Sequence, residues 1–264
     1  MYETNYHRPS TVEEAVALLS ANPDAKPLAG GQTLIPTMKQ RLAAPSDLVD
    51  LRHIEALRGI KLEGRRIIIG AATTHAEVAG SEALQSACPG LASLAAHIGD
   101  PHVRHMGTLG GSVANNDPAA DYPSAMLALD ATIHTSTRDI KADDYFTGLF
   151  ETALDEGEII VAVSFEAPEK AAYAKFANPA SLYAMAGVFV ARHGAGVRVA
   201  VTGAGSDGVF RQGDMEAALS ANWSPAALDS VTVSADDLMD DLHASAAYRA
   251  SLIKTMAKRA VATA

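Results

Sequence analysis

Apolar residues recur at helical spacing in a few stretches of this chain and cluster as short strands in many more. Val12, Ala15, Val16 and Leu19 fall on one helical face. Ahead of them, Ser10-Thr11-Val12-Glu13 reads as a capping box in which the Ser10 hydroxyl accepts from the Glu13 N–H. The helix is expected to stop near Asn22-Pro23. An extended segment, Lys26-Pro27-Leu28-Ala29, then runs into Gly30-Gly31, with a second helix after the glycines and a short strand at Leu48-Val49-Asp50. The first fifty residues thus predict a small strand–helix–strand unit. Ile60, the Leu62-Glu63-Gly64-Arg65 turn and Ile67-Ile68-Ile69 predict a hairpin. Helices follow at about 77–87 and 91–98. Residues 99–121 show little periodicity and read as a long loop rich in glycine, histidine and asparagine, a length that is uncommon without a function. A helix begins near Pro123, and strands are expected at 131–135 and 158–165.

The texture changes from Ala171. Apolar runs at 183–191 and 197–202 are joined by His193-Gly194-Ala195-Gly196 and predict an antiparallel pair. Ser224-Pro225 opens a short helix. A final amphipathic helix spans 244–262, with Tyr248, Leu252, Met256 and Ala260 at helical spacing. The boundary falls at Glu166-Ala167-Pro168, dividing 1–168, with sub-units of about 1–55 and 56–168, from 169–264. The pattern is that of an α+β chain without internal repeats.

Charge and cysteine content narrow the function. The formal net charge is −10, which argues against a groove that tracks nucleic-acid phosphates with clustered lysine and arginine. Small anions stay possible, because backbone N–H groups at turns and helix starts hold phosphate without basic side chains. The single cysteine, Cys88, excludes an internal disulfide framework and any thiolate-bound iron–sulfur cluster within this sequence. No basic segment followed by an apolar run opens the sequence, and no apolar stretch approaches the ~20 residues of a membrane span. The expectation is a cytoplasmic protein without membrane insertion.

Two glycine pairs carry the candidate chemistry: Ala29-Gly30-Gly31-Gln32-Thr33 and Thr108-Leu109-Gly110-Gly111-Ser112. Paired glycines permit positive φ, so that successive N–H groups converge on an anion, and the nearby hydroxyls could add donors. Two such loops suit a pyrophosphate; each taken alone is equally a tight turn. Gly203-Ala204-Gly205-Ser206-Asp207-Gly208 fits the dinucleotide fingerprint, but five residues intervene before any helix, against that motif's strand–turn–helix geometry. His97, Asp100, His102 and His105 cluster in sequence without the spacing of a known metal-ligand set. No metal site is expected.

Pro27 to Pro36, P-L-A-G-G-Q-T-L-I-P, and Gly107 to Asp121, G-T-L-G-G-S-V-A-N-N-D-P-A-A-D, resemble the two pyrophosphate loops of the FAD-binding subunit in the xanthine dehydrogenase and carbon monoxide dehydrogenase family. Supporting pieces occur in family order: Tyr6-His7-Arg8-Pro9, Gly157-Glu158-Ile159-Ile160, Tyr173-Ala174-Lys175-Phe176 and Tyr248-Arg249. The resemblance covers essentially the whole chain. It implies an α+β fold in which a small N-terminal unit and a larger mixed α/β unit form a two-part FAD-binding domain, followed by a small C-terminal domain of antiparallel strands and helices.

The resemblance also implies site residues. Leu28, Ala29, Gly30, Gly31, Gln32, Thr33, Leu34 and Ile35 would wrap the flavin pyrophosphate, mainly through N–H groups. Gly107, Thr108, Gly110, Gly111 and Ser112 would form the opposing loop. Asp121 would accept a hydrogen bond from FAD near its adenosine part, or else serve as an N-cap. Ile160 corresponds to an apolar contact, Lys175 to a lysine near the cofactor, and Tyr183 to an aromatic against the flavin ring. Three departures stand out: Ser181-Leu182 replaces the usual Gly-Asp before that aromatic, Ser112 replaces a common asparagine, and Asn116 a common histidine.

The implied function is electron transfer, with no residue here acting as a catalytic acid or base. FAD would be bound non-covalently. A large partner subunit would hold the molybdenum cofactor and a small one the [2Fe–2S] clusters, consistent with the lack of cluster ligands here. Two rivals remain at this level: a self-contained flavin oxidase, and a scaffold that has kept the fold but lost flavin.

Overall fold

The computed structural model describes residues 1–194 and 196–264, so Ala195 of the turn tetrad lies outside the described residues. The N-terminal unit is a three-stranded parallel sheet. Its elements are β1 (Asn5–His7), α1 (Val12–Ala21), β2 (Ala25–Leu28), α2 (Leu34–Lys39) and β3 (Asp47–Asp50), with β3 between the other two strands. Ala15 and Leu19 of α1 pack on Val49. The cap of α1 sits one residue later than the sequence suggests. Thr11 accepts from the Glu14 N–H at 3.2 Å, while the Ser10 N–H donates to the Glu14 carboxylate at 2.8 Å. Both hydroxyls have a glutamate three residues on, so the motif alone could not choose between them. Strand β1, too short to show an alternation, is an addition to the expected unit.

The second unit comprises β4 (Ile60–Glu63), β5 (Arg66–Gly70), α3 (His75–Gly80), α4 (Glu82–Ala87), α5 (Pro89–Ala96), α6 (Pro101–Met106), α7 (Leu109–Asn115) and α8 (Tyr122–Ala128), then β6 (Thr132–Thr135), β7 (Asp139–Lys141), α9 (Ala142–Tyr145), β8 (Phe146–Gly148), β9 (Glu151–Thr152) and β10 (Ile160–Glu166). Five strands form an antiparallel sheet in the order β4-β5-β10-β6-β7. Ile67, Ile69, Ile133, Val163 and Phe165 turn inward to meet the helices in the main core. The helix expected over 77–87 is broken at Ser81, which ends α3 and whose side chain accepts from Leu84 N–H to cap α4.

The long loop expected over 99–121 is a correction: it folds mostly into α6 and α7. Asp100 caps α6 by accepting from the Val103 N–H, with Pro101 at the first helical position. Thr108 caps α7. Helices of six and seven residues complete at most two turns, too few to register a 3.6-residue period.

The third unit holds β11 (Lys170–Ala177), β12 (Ala184–His193), β13 (Gly196–Thr202), β14 (Phe210–Arg211), α10 (Gly213–Ala221) and α11 (Ala246–Thr263). Its four strands run antiparallel in sequence order. One face of this sheet (Ala171, Tyr173, Phe189, Ala191, Ala200) joins the main core. The opposite face (Ala172, Val188, Val190, Val199, Val201) packs on Met215, Leu219, Leu252 and Met256 of the last two helices. The chain therefore changes sheets at Ala167 without leaving the core it built before. Among the described residues no helix is long and apolar enough to cross a membrane.

Candidate cofactor site

Loop one joins β2 to α2 and passes directly over the end of α6. A Cβ at Gly30 would lie 2.2 Å from the Met106 carbonyl oxygen and 2.5 Å from Gly107 Cα, so only glycine allows the two segments to touch. Gly31 takes φ +69°, the left-handed conformation that turns the chain into α2. Among the described residues no protein acceptor meets the backbone N–H groups of Gly30 through Leu34; the first one used is that of Ile35, donated to Gly31 at 3.1 Å. Five successive donors at one turn are what an anion would satisfy.

Loop two is built differently from the expectation. Leu109 N–H donates to Thr73 at 3.0 Å, Gly110 N–H to Ala71 at 2.9 Å, and Gly111 N–H to the Thr108 hydroxyl at 3.1 Å. Neither Gly110 nor Gly111 has positive φ. The expected N–H nest at this pair is thus corrected: the Gly110 donor is consumed in seating α7 on Ala71, and the Gly111 donor in the Thr108 cap. The glycines serve close approach instead. A Cβ on Gly110 would lie 2.5 Å from that of Ala71, and one on Gly111 would lie 3.2 Å from that of Ala29 in loop one. The two loops, some eighty residues apart in sequence, meet at Gly30–Gly107 and Ala29–Gly111. The partly exposed Ser112 hydroxyl is left without a protein partner among the described residues.

Beside loop one lies a cavity of 330 Å³, lined by Leu28 to Gln32, Ile35, Pro36, Met106 and two cations, Lys39 and Arg52. Arg52 is held by Asp50, to which it donates at 2.9 and 2.6 Å. Burial pushes the Asp50 carboxyl up, but the hydrogen bonds from Arg52 and Tyr6 outweigh it and bring the pKa to about 2. Sequence reasoning missed Lys39, Arg52 and Met106; the Asp50-Leu51-Arg52 end of β3 was the available signal. A larger cavity of 650 Å³ lies around Arg66, Lys141, Ser164 and Arg198, and none of the predicted site residues lines it.

Asp121 stands at the start of α8 but does not cap it. Its buried carboxylate instead accepts from the Tyr173 hydroxyl and from Lys175 Nζ, the latter at 3.1 and 3.2 Å. Burial raises the Asp121 pKa, opposed by the charge of Lys175 and the Tyr173 hydrogen bond. Tyr183 is half exposed and follows Leu182, which takes φ +63°. Burial raises its phenol pKa, with Asp117 and Asp121 adding to the effect. Ile160 is packed in the main core. Asn116 ends α7 at φ +42° and donates to Gly148 at 2.9 Å and to Glu151 at 2.8 Å, tying the β8–β9 hairpin to loop two.

Two further sequence features take ordinary structural roles. Gly203, at φ +79°, begins a turn whose next helix is α10, beyond β14, so the fingerprint geometry is absent. His97 and His105 donate through Nδ1 to the carbonyls of Ser93 and Pro101, each at 2.7 Å, and Asp100 is a helix cap. Among the described residues no group of three or more His, Cys, Asp or Glu could hold a metal ion.

The family described as the FAD binding domain in molybdopterin dehydrogenase matches residues 2–167, which include both loops and Asp121. The chain belongs to this family. It is similar to the carbon monoxide dehydrogenase medium chain of Hydrogenophaga pseudoflava, 34% identical over 272 residues, covering 97% of this chain and 95% of that one. It is also similar to the nicotine 6-hydroxylase medium subunit of Paenarthrobacter nicotinovorans, 35% identical with the same coverage. Among solved structures, carbon monoxide dehydrogenase from H. pseudoflava lacking the Mo-pyranopterin moiety superposes with a TM-score of 0.89 at 35% identity, covering 99% of this chain and 96% of that one. The flavoprotein is an oxidoreductase subunit of the molybdenum hydroxylase family. The residues present fit FAD: among the described residues loop one offers a run of unused donors, and Gly30 and Gly111 let the two loops approach closely.

Proposed function

We propose that this chain is the electron-transfer flavoprotein of a molybdenum hydroxylase complex, accepting electrons from [2Fe–2S] clusters on a small partner subunit and delivering them to an external acceptor. The reading is supported by relatives named as medium chains and by a chain whose single cysteine cannot itself ligate a cluster. A large partner subunit would carry the molybdenum cofactor, and the complex would be cytoplasmic. When bound, FAD supplies the exchange between one-electron and two-electron carriers. Residues 1–168 would be the FAD-binding domain, with sub-units of about 1–55 and 56–168, and 169–264 the C-terminal domain.

The single observation that carries this reading is the run of N–H groups from Gly30 to Leu34 with no protein partner among the described residues, braced against loop two. These donors, with the turn of Leu28 to Ile35, would hold the pyrophosphate, and Thr108, Gly111 and Ser112 would close the opposite side. Lys39 and Arg52 add positive potential beside loop one in a chain that is otherwise strongly acidic. Asp121 would accept from the cofactor, Lys175 would stand close to it, Tyr183 would lie against the flavin ring, and Ile160 would back the site from the core. No side chain is assigned a catalytic proton transfer.

Titration of the purified chain with FAD tests the assignment. One FAD should bind per chain, and mass spectrometry after denaturation should find free FAD and an unmodified polypeptide. A colourless chain that takes up no FAD would overturn the assignment, and a flavin mass retained on the polypeptide would overturn its non-covalent part.

A further inference from the structure

Asp121 is fixed by the C-terminal sheet, not by the helix it precedes. Its side chain makes no cap on α8. Both side chains that donate to it, Tyr173 and Lys175, stand on β11; Asp121 and Tyr173 are buried residues, and the Lys175 side chain is only 6% exposed. The preceding segment is stapled to the same sheet. Thr202 donates to Pro118 at 3.1 Å and to Ala120 at 2.6 Å, and the Gly203 N–H donates to Pro118 at 2.8 Å.

A glycine in the middle of β12 points to the phenol as the fixed element. Gly187 pairs with Lys175 on one side and Thr202 on the other. It has no positive φ, and a strand-interior glycine weakens a sheet. What it permits is contact: a Cβ there would lie 2.2 Å from the Tyr173 hydroxyl oxygen and 3.0 Å from Thr202 Cγ2. The Tyr173 ring also stacks on Phe189, with ring centroids 6.2 Å apart. The sheet gives up a side chain to seat that hydroxyl against Asp121.

We propose that Tyr173, seated over Gly187, is a positioning residue for the FAD site, holding the Asp121 carboxylate ionised and oriented toward the cofactor. This rests on the assignment of Asp121 to FAD. Lys175 supplies the opposite charge and Tyr173 a directional hydrogen bond, so that the C-terminal sheet completes a site whose two glycine loops both lie before residue 167. Burial works against the charged carboxylate. The other ionisable groups near it are His97 at the end of α5, Tyr122 on α8, and Tyr183 with Asp117. Among the described residues, Lys175 and Tyr173 alone hydrogen-bond to the Asp121 carboxylate.

The test is FAD titration of the full chain, stripped of flavin, from pH 5.5 to 8.5, for wild type, Tyr173→Phe, Gly187→Ala and Asp121→Asn, with apoprotein melting recorded alongside. A hydrogen bond to a charged group contributes enough for its loss to weaken binding about tenfold to a hundredfold. Tyr173→Phe should show that loss, growing as pH falls, because a carboxylate with one donor fewer takes up its proton at higher pH. Gly187→Ala keeps the phenol but removes its seat, and should reproduce the pH-dependent loss even if Tyr173→Phe folds poorly. Asp121→Asn should bind weakly with a flat pH profile. If Asp121→Asn binds as wild type, the assignment of Asp121 to FAD fails and this inference with it. If Asp121→Asn is weakened while Tyr173→Phe and Gly187→Ala match wild type at every pH, the assignment stands and the positioning role is overturned. Lower melting temperatures with unaltered FAD affinity and pH profile would likewise reduce Tyr173 to a packing residue.

Discussion

Replacing Gly30 by alanine strikes the contact on which the two-loop site depends. The added Cβ would meet the Met106 carbonyl oxygen at 2.2 Å and Gly107 Cα at 2.5 Å, both backbone atoms that cannot rotate away. Ordinary contact needs about 3.5 Å, so loop one must part from the end of α6 by roughly 1 Å. Overpacking of this kind costs about 1–3 kcal/mol, and each kcal/mol lowers the melting point of a chain near this size by roughly 2–4 °C. The effect on binding should be larger than that stability loss suggests. The displaced segment carries the unpaired donors, and losing even one hydrogen bond to a charged phosphate costs about 1.5–3 kcal/mol, at least tenfold in affinity. Thermal melts of the apoprotein and FAD titrations measure the two effects separately. Gly213→Ala is the control, since nothing lies within 4 Å of the position its Cβ would take at the start of α10. Its stability should be unchanged or higher by up to about 1 kcal/mol, with normal flavin binding. Wild-type FAD affinity in Gly30→Ala would refute the claim that contact between the loops shapes the site.

Two further outcomes follow from buried polar groups. Burial of His75, helped by the charge of Arg104, lowers its pKa from 6.5 to about 4. Between those values the unfolded chain binds a proton that the folded one does not, so stability should fall as pH drops from about 6.5 toward 4, by up to about 3 kcal/mol. Urea midpoints from pH 7 to 4.5 should decline less steeply in His75→Leu than in wild type, and equal slopes would remove His75 from the account. Asn116→Ala would forfeit two side-chain hydrogen bonds and put alanine, which tolerates the left-handed region less well than asparagine, at φ +42°. We expect a loss of about 2–4 kcal/mol and faster hydrogen exchange over 146–152; unaltered exchange there would show that the hairpin does not depend on Asn116.

How much of this was legible in the sequence depended on how local each signal was. The β4–β5 hairpin announced itself because Gly64 sits between two isoleucine-containing runs, and it does take φ +63°. The two glycine loops stood out in the sequence, but the conformational reason read into them holds only in part. Gly31 has the left-handed φ, whereas Gly30, Gly110 and Gly111 are glycines because another segment passes where a Cβ would be. That reason lies in partners some forty to eighty positions away and leaves no local pattern. Helices α6 and α7 were read as loop because their packing, not their periodicity, maintains them. The extent of strand β11 is not legible in the pattern, since its alanines alternate faces without alternating polarity. The role of Asp121 was the hardest to read. Its partners stand fifty-two and fifty-four residues later, and the N-cap geometry that the sequence offered is not the one adopted.

The most direct measurement is the flavin absorbance band under anaerobic conditions, with and without partner subunits. Dithionite should reduce the flavin of the isolated chain, while organic substrates of molybdenum hydroxylases leave it oxidised. Assembled with its molybdenum and iron–sulfur partners, the same flavin should bleach when the right substrate is added. Rapid, stoichiometric bleaching of the isolated chain by an organic substrate would contradict the account, because it would place a substrate site within this chain and make it a self-contained oxidase.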